Sequence, residues 1–166
     1  MKKPKIGFCG MSHLGINSAV ASATKGFQII CFDPDVTLIR EISNKNFPIV
    51  EPKLDELAGR FKKYISYTSE INELSKCEII YIAADVPTNS DGESDLTNIN
   101  NLLNLVKTVI NDNTVLVILS QVPPGFTRQN LYKTNNLYYQ VETLIFGMAI
   151  DRASNPERFI IGSKSP

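Results

Sequence analysis

A short glycine loop places the strongest constraint on how this chain can fold. Residues 10–15 (GMSHLG) join the apolar run of residues 5–9 to a stretch rich in small residues that is typical of a helix. In the fingerprint G-x-G-x-x-G, the first glycine makes a tight turn, the second admits a pyrophosphate and the third packs helix on strand. Gly10 and Gly15 hold the outer places and Ser12 the middle one. The loop therefore predicts a dinucleotide site with one glycine replaced.

Asp33 directly follows the second apolar run, where a ribose acceptor is expected. Its carboxylate would accept hydrogen bonds from the ribose hydroxyls of NAD and repel the 2′-phosphate of NADP. The helix after the loop would direct unpaired N–H groups at the pyrophosphate. NAD is therefore the expected cofactor, with contacts at Gly10, Ser12, His13, Leu14, Gly15 and Asp33. Alternatively, the glycines only form the turn and let the helix pack on the strand, and Asp33 only caps the helix that begins at Asp35.

A P-loop is excluded by the residues that follow the glycines. Ile16 and Asn17 stand where a lysine and a serine or threonine would grip phosphate and magnesium. The sequence therefore gives no indication of ATP hydrolysis.

Composition favours one globular domain and argues against several kinds of partner. The 166 residues are 43% hydrophobic and 20% charged, which suits a single domain over residues 1–166. With 17 basic and 17 acidic residues the net charge is zero, so we expect no nucleic acid and no membrane as partners. Cys9, Cys31 and Cys77 lie in apolar runs and are expected to be buried, reduced thiols. Without a signal segment or a transmembrane stretch, the protein is expected to be cytoplasmic.

Short apolar runs, typical of strands buried on both faces of a parallel sheet, alternate with helical patterns. The expected strands are residues 5–9, 27–32, 64–67, 78–83, 115–119, 137–141 and 159–161. Helical spacing marks residues 14–25, 36–43 and 99–110. The alternation predicts an α/β fold, a Rossmann-like doubly wound and mostly parallel sheet with helices on both faces. The long connections 44–63 and 85–97 are expected to line its site.

Five further segments match, in order and spacing, the motifs of one protein family. Residues 46–57 (NFPIVEPKLDEL) are similar to its PIYEPGLEEL segment, and residues 86–96 (VPTNSDGESDL) to its VPTP…DG…DL loop. Residues 120–125 (SQVPPG), 142–150 (ETLIFGMAI) and 155–162 (NPERFIIG) are similar to STVPVG, EFLREGTAI and NPDRVVIG. Through these segments the chain resembles the NAD-binding domain of the UDP-glucose/GDP-mannose dehydrogenase family. The first two disfavour another β-hydroxyacid-type dehydrogenase.

The resemblance implies an activity that needs more than this chain. Family members oxidise the C6 alcohol of a nucleotide sugar to a carboxylate by two hydride transfers to NAD, through a covalent cysteine thioester. Their cysteine lies in a sugar-nucleotide-binding domain, which would follow residue 166 after a long connecting helix. A nucleotide-sugar partner is therefore expected only together with that domain. Family dimers are built largely on the connecting helix, so a monomer is compatible with this chain.

The resemblance adds further residues to the candidate site. Glu142 is the candidate catalytic residue, either a desolvated general base or an exposed residue at a strand end. Ser120 is similar to a serine that contacts the nicotinamide half of NAD, its alternative role being to cap the next turn. Pro87 and Thr88 resemble the loop beside the middle of the cofactor, although their segment is also ordinary turn chemistry. His13 resembles a residue that covers the pyrophosphate, which favours packing over acid–base chemistry.

Three residues of the matching segments depart from the family pattern. Gln121 replaces a threonine that helps to place a water near the sugar, and Ile145 and Phe146 replace an arginine and a second glutamate. Two hypotheses follow: an NAD-binding domain of a nucleotide-sugar 6-dehydrogenase, or a catalytically degenerate Rossmann domain with a role in regulation or assembly. No metal site is predicted, because residues 91–95 lack the closing glutamate of a calcium loop, and Asp95 is expected to cap the next helix.

Overall fold

A seven-stranded sheet organises residues 2–130 and 136–164, the part of the chain that the computed structural model describes. Its strands are β1 Ile6–Cys9, β2 Ile29–Phe32, β3 Ile65–Thr68, β4 Ile79–Ile82, β5 Val115–Ile118, β6 Leu137–Gln140 and β7 Ile161–Gly162. Their order in space is β3-β2-β1-β4-β5-β6-β7. The first six strands pair in parallel, and β7 is antiparallel to β6. The predicted doubly wound, mostly parallel sheet is confirmed.

Helices cover both faces of the sheet. They are α1 His13–Thr24, α2 Val36–Ser43, α3 Leu54–Arg60, α4 Thr97–Val106, α5 Phe126–Asn130 and α6 Ala149–Ser154, with 3-10 turns at Lys62–Tyr64 and Ile71–Lys76. Buried residues of α1, α2, α3 and α6 share one hydrophobic core with the sheet, and those of α4 and α5 share the other. None of these helices is long and apolar enough to cross a membrane.

The start and the end of α4 follow from local hydrogen bonds. The carboxylate of Asp95 accepts a bond of 2.9 Å from the N–H of Thr97. Hydrogen bonds from the side chain and then from the backbone of Thr97 lower the pKa of Asp95. The N-cap of α4 is Leu96, so Asp95 lies one residue before the predicted cap position, from where its carboxylate still accepts the N–H of the first helical residue. The helix ends at Val106 rather than at the predicted residue 110, since the N–H groups of Thr108 and Val109 bond carbonyls three residues back.

The three cysteines are buried free thiols, as predicted. Burial raises the pKa of Cys77 to about 12, and it raises the pKa of Cys9 and Cys31 well above the usual range. A thiol acts as a nucleophile through its thiolate. At neutral pH these residues are therefore packing groups of the sheet and not nucleophiles.

An apolar cavity of about 530 Å³ lies between the sheet and the helices α1 and α6. The stacked rings of Phe8 and Tyr81, with centroids 5.1 Å apart, line it on the sheet side. Phe159, which is exposed, lines it near the end of the described chain. The cavity extends from Leu14 of the glycine loop to Pro4, near the amino ends of the strands.

The packing of α1 on β1 depends on Gly15. A Cβ on this residue would lie 1.8 Å from the carbonyl oxygen of Gly10, so the helix could not keep its place. Gly15→Ala should lower the free energy of unfolding by at least about 3 kcal/mol, measured by urea denaturation. Gly59→Ala in α3 is the control, because its Cβ would meet only Lys45 Nζ at 3.7 Å. That variant should gain up to about 1 kcal/mol; equal effects at the two positions would contradict the account.

Candidate functional site

The glycine loop lies at the carboxyl end of β1, where it turns the chain sharply into α1. Gly10 has a φ of +101°, and a Cβ there would lie 3.0 Å from the backbone nitrogen of Ala84. L side chains rarely adopt that φ, and the neighbouring backbone leaves no room for one. Gly10 and Gly15 therefore have the turn and the close packing that the fingerprint requires.

Ser12 fits the middle position without a glycine's conformational freedom. Its φ of −83° and ψ of −174° are ordinary for any residue. Its hydroxyl donates to the carbonyl of Ala83 at 3.0 Å and accepts from the N–H of Asp85 at 3.1 Å. The side chain thus fastens the loop to the segment after β4. It makes no capping bond to α1, so the hydroxyl does not occupy the helix end.

The N-terminus of α1 is open to an anion. No described residue provides an acceptor for the N–H groups of His13, Leu14 and Gly15, since the first helical bond of this turn runs from Ile16 to Ser12. Unpaired N–H groups and the positive end of the helix dipole together bind phosphate groups. These residues therefore fit the pyrophosphate of a dinucleotide.

Asp33 supports the loop from the end of β2. Its Oδ2 accepts from the N–H of Met11 at 2.8 Å, and its Oδ1 accepts from the N–H of Asp35 at 3.0 Å. The cap of α2 is Asp35, whose carboxylate accepts from Thr37 and Leu38, so the alternative that gave this cap to Asp33 is wrong. Each oxygen of Asp33 keeps a second lone pair. The predicted bonds to ribose hydroxyls are compatible with this geometry.

Glu51 is a buried carboxylate at the start of α1 that sequence reasoning missed. Its Oε1 accepts from Nε2 of His13 at 2.7 Å and from the N–H of Gly147 at 2.9 Å. Its Oε2 lies 3.5 Å from the N–H of Ala149. Burial alone would raise the pKa of Glu51, but these donors outweigh it and hold the pKa below its usual range. The sequence signal that could have identified Glu51 is its position in the PIVEP segment, which is similar to a family motif.

The ring of His13 is covered by Phe146. Their centroids lie 4.2 Å apart, and the Phe146 side chain remains 81% exposed. His13 thus packs against an aromatic ring on one side and bonds Glu51 on another. A role over the pyrophosphate stays a prediction.

A cleft of about 250 Å³ opens beside the loop, at the carboxyl ends of β4, β5 and β6. It is lined by His13, Leu14, Ala84, Asp85, Val86, Gln121, Glu142, Leu144 and Phe146. Glu142 is half-buried, and its carboxylate accepts from Nε2 of Gln121 at 2.8 Å and from the N–H of Leu144. Neither alternative for Glu142 is decided by this geometry, and its catalytic role stays a prediction.

Known proteins share both the sequence pattern and the fold of this chain. Residues 4–165 match the NAD-binding domain of the UDP-glucose/GDP-mannose dehydrogenase family. The chain belongs to this family. NAD is accordingly the cofactor of the domain, as predicted from the loop and Asp33.

Individual relatives of the family cover nearly all of the chain. A UDP-glucose 6-dehydrogenase of Bacillus subtilis is 31% identical over 173 residues, which cover 97% of this chain and 38% of that protein. One from Rickettsia bellii is 29% identical over 166 residues, covering 95% and 38%. The structure of a UDP-glucose dehydrogenase from Pyrobaculum islandicum superposes with a TM-score of 0.86 at 21% identity, covering 99% of this chain and 41% of that one. The chain thus spans well under half the length of these relatives.

Three further residues that the family resemblance suggested lie near the cleft but outside its lining. Ser120 is fully buried, and its hydroxyl donates to the carbonyl of Ala84 at 2.6 Å. Pro87 and Thr88 are exposed on the next loop, where Thr88 bridges to Ser94. The structure gives Ser120 and Thr88 these protein partners, and their contacts with the cofactor stay predictions. No group of three metal-ligating side chains occurs in the described part of the chain.

The low pKa of Glu51 makes its stabilising effect depend on pH. The effect should be complete above the ordinary glutamate pKa of about 4.3 and disappear as pH falls through the lower pKa of the folded state. At pH 7, Glu51→Gln should lower the free energy of unfolding by about 2 kcal/mol in urea denaturation. The difference from wild type should shrink below about pH 4.

The exposed variant Glu56→Gln is the control for this prediction. Glu56 lies in the first turn of α3 on the surface, and its substitution should cost at most about 0.5 kcal/mol at either pH. A loss at Glu51 that is the same at pH 3.5 and pH 7 would contradict the account.

Proposed function

We propose that this chain is the NAD-binding part of a nucleotide-sugar 6-dehydrogenase, which oxidises the C6 alcohol of its sugar to a carboxylate. The observation that carries the proposal is the open N-terminus of α1, held against β1 by Gly10 and Gly15, with a cleft beside it. When bound, NAD supplies the hydride acceptor. The relatives named UDP-glucose 6-dehydrogenase support the choice of substrate class.

The adenine side of the site is recognised by charge and by hydrogen bonds. Asp33 offers carboxylate lone pairs to the ribose hydroxyls, and its negative charge repels a 2′-phosphate. The N–H groups of His13, Leu14 and Gly15 are the donors for the pyrophosphate. The site therefore selects NAD over NADP.

The cleft at the ends of β4 and β5 suits the nicotinamide. Its apolar wall of Leu14, Val86 and Leu144 excludes water from one face of a flat ring. The carboxylate of Glu142 lines the same cleft, where Gln121 holds it ready to accept a hydrogen bond from a sugar hydroxyl. Glu142 thus orients the alcohol and receives its proton as hydride leaves the carbon.

The remaining chemistry belongs to residues outside the described chain. Oxidation to a carboxylate through a thioester needs a thiolate, and the three cysteines here are buried with raised pKa values. The chain spans about 38% of the relatives' length. The relatives are long enough to contain a second domain. We propose that the nucleophilic cysteine and the sugar-selecting contacts lie in such a domain.

Binding of NAD to this chain tests the proposal. Isothermal titration should show a dissociation constant for NAD at least tenfold below that for NADP, because Asp33 repels the 2′-phosphate. Asp33→Ala should weaken NAD binding about tenfold and narrow the preference over NADP. Asp55→Ala, an exposed residue of α3, is the matched control and should bind as wild type. An absence of heat at millimolar NAD would favour the degenerate domain with a role in regulation or assembly.

Ser12 should be compatible with cofactor binding. Because its hydroxyl ties the loop to Ala83 and Asp85, Ser12→Ala should lower the free energy of unfolding by about 1 to 2 kcal/mol. The affinity for NAD, followed by titration at a temperature where both proteins are folded, should change less than about threefold. A loss of binding with unchanged stability would show instead that the hydroxyl is a cofactor ligand.

A further inference from the structure

We infer that Glu51 is a positioning residue, which holds residues 142–149 against the start of α1 and thereby fixes the nicotinamide end of the cleft. The inference rests on the proposed binding of NAD in this cleft. Glu51 itself does not line the cleft, so it would act through the residues that it holds.

The burial of Glu51 needs an explanation, because carboxylates are seldom buried without partners. Glu51 is 5% exposed, whereas its neighbour Val50 is 99% exposed. The loop between α2 and α3 thus directs the charged side chain inward and the apolar one into solvent. Donors on His13, Gly147 and Ala149 offset the cost of burying the Glu51 carboxylate. Each of these donors belongs to a segment that borders the cleft.

The donors and Phe146 connect Glu51, the start of α1 and residues 146–147 in a ring of contacts beside the cleft. His13 begins α1, and its ring lies against Phe146 at 4.2 Å. Phe146 precedes Gly147, whose N–H returns to Glu51 at 2.9 Å. Gly147 has a φ of +80°, so the chain turns at the point where Glu51 holds it. One carboxylate therefore bridges the start of α1 and the segment that carries Phe146, beside the direct packing of α6 on α1.

That segment supplies one wall of the cleft. Glu142, Leu144 and Phe146 alternate along it, and all three line the cleft. A displacement of Gly147 would shift these side chains relative to Gln121, which lines the cleft from the end of β5. Loss of the Glu51 contacts should therefore loosen the fit around the nicotinamide.

The strand order confines this effect to one end of the cofactor. Asp33 follows β2, on one side of β1, while the cleft lies at the ends of β4, β5 and β6 on the other side. The contacts proposed for the adenine ribose and the pyrophosphate, Asp33 and the N–H groups of α1, do not depend on residues 142–149. Glu51 bonds the ring of His13 and not its backbone N–H, which the helix α1 directs, so a ligand that lacks nicotinamide should be much less sensitive to Glu51 than NAD.

A second contact joins the same elements at the surface and provides a matched control. Nζ of Lys53, the N-cap of α3, lies 2.8 Å from the carboxylate of Asp151 in α6, and both side chains are about half exposed. This exposed pair contributes little to stability, whereas the buried Ala149 and Ile150 are expected to keep α6 on the core when Glu51 is replaced, so that the cleft wall shifts while the helix remains. Lys53→Met removes the pair without touching a residue of the cleft.

The ratio of the affinities for NAD and ADP-ribose tests the inference. Both ligands carry adenine, two riboses and a pyrophosphate, and only NAD carries nicotinamide. Isothermal titration should show that wild type prefers NAD, and that Glu51→Gln reduces this preference about tenfold while ADP-ribose binding changes less than about threefold. Glutamine has a single acceptor oxygen and sets an NH₂ against backbone donors. Lys53→Met should keep the wild-type ratio.

The other possible results separate the positioning role of Glu51 from the proposed function. An unchanged ratio in Glu51→Gln, or an equal loss for both ligands, would overturn the positioning role and leave the proposed function standing. No binding of either ligand to wild type would contradict the proposed function, and this inference with it. If Glu51→Gln does not fold, Glu51→Asp keeps the charge and withdraws it by one methylene; its ratio should fall about threefold, and an unchanged ratio would again overturn the role.

Discussion

The close approach of α1 to the carboxyl end of β1 is the constraint on which the rest of the structure depends. It requires hydrogen in place of a side chain at Gly15, because a Cβ would enter the carbonyl of Gly10. The approach brings the unpaired N–H groups of α1 to the edge of the sheet where β1, β2 and β4 end. Both the anion site and the cleft beside it follow from this single packing contact.

Three polar side chains fix the glycine loop and the start of α1, each from a different direction. Asp33 holds Met11 from the β2 side, Ser12 bonds the segment after β4, and Glu51 holds His13 from the connection before α3. Three strands and two connections thus converge on a loop of six residues, which has the outer glycines of the fingerprint but not the middle one. The hydrogen bonds of Ser12 explain how the loop accommodates a side chain at that position.

Much of the fold could be predicted from the sequence, because buried parallel strands are short, apolar and uninterrupted. The runs at 115–119 and 137–141 each match an observed strand to within one residue, and Val36–Ser43 is a helix as its apolar spacing indicates. The direction of a side chain is harder to predict. The inward turn of Glu51 and the bonds of Ser120 to the end of β4 and the residues after it depend on segments far apart in sequence, and local spacing contains no information about them.

For the candidate site, too, residues fixed by backbone geometry could be predicted, whereas contacts between distant side chains could not. Gly10, Gly15 and Asp33 could be assigned because backbone geometry and strand order dictate their places. Glu142 was found through resemblance, whereas its partner Gln121 appeared only as a departure from the family pattern until the structure showed their bond of 2.8 Å. The contact of the exposed Phe146 ring with His13 likewise joins residues far apart in sequence, so local spacing does not predict it.

The most direct test of the account is where NAD contacts the protein, read from backbone amide chemical shifts of the ¹⁵N-labelled chain during titration. The account predicts saturable shifts at residues 10–15, at Asp33 and at residues 84–86 and 142–146 around the cleft. Shifts confined to the apolar cavity around Phe8, Tyr81 and Phe159, with residues 10–15 unperturbed, would contradict it.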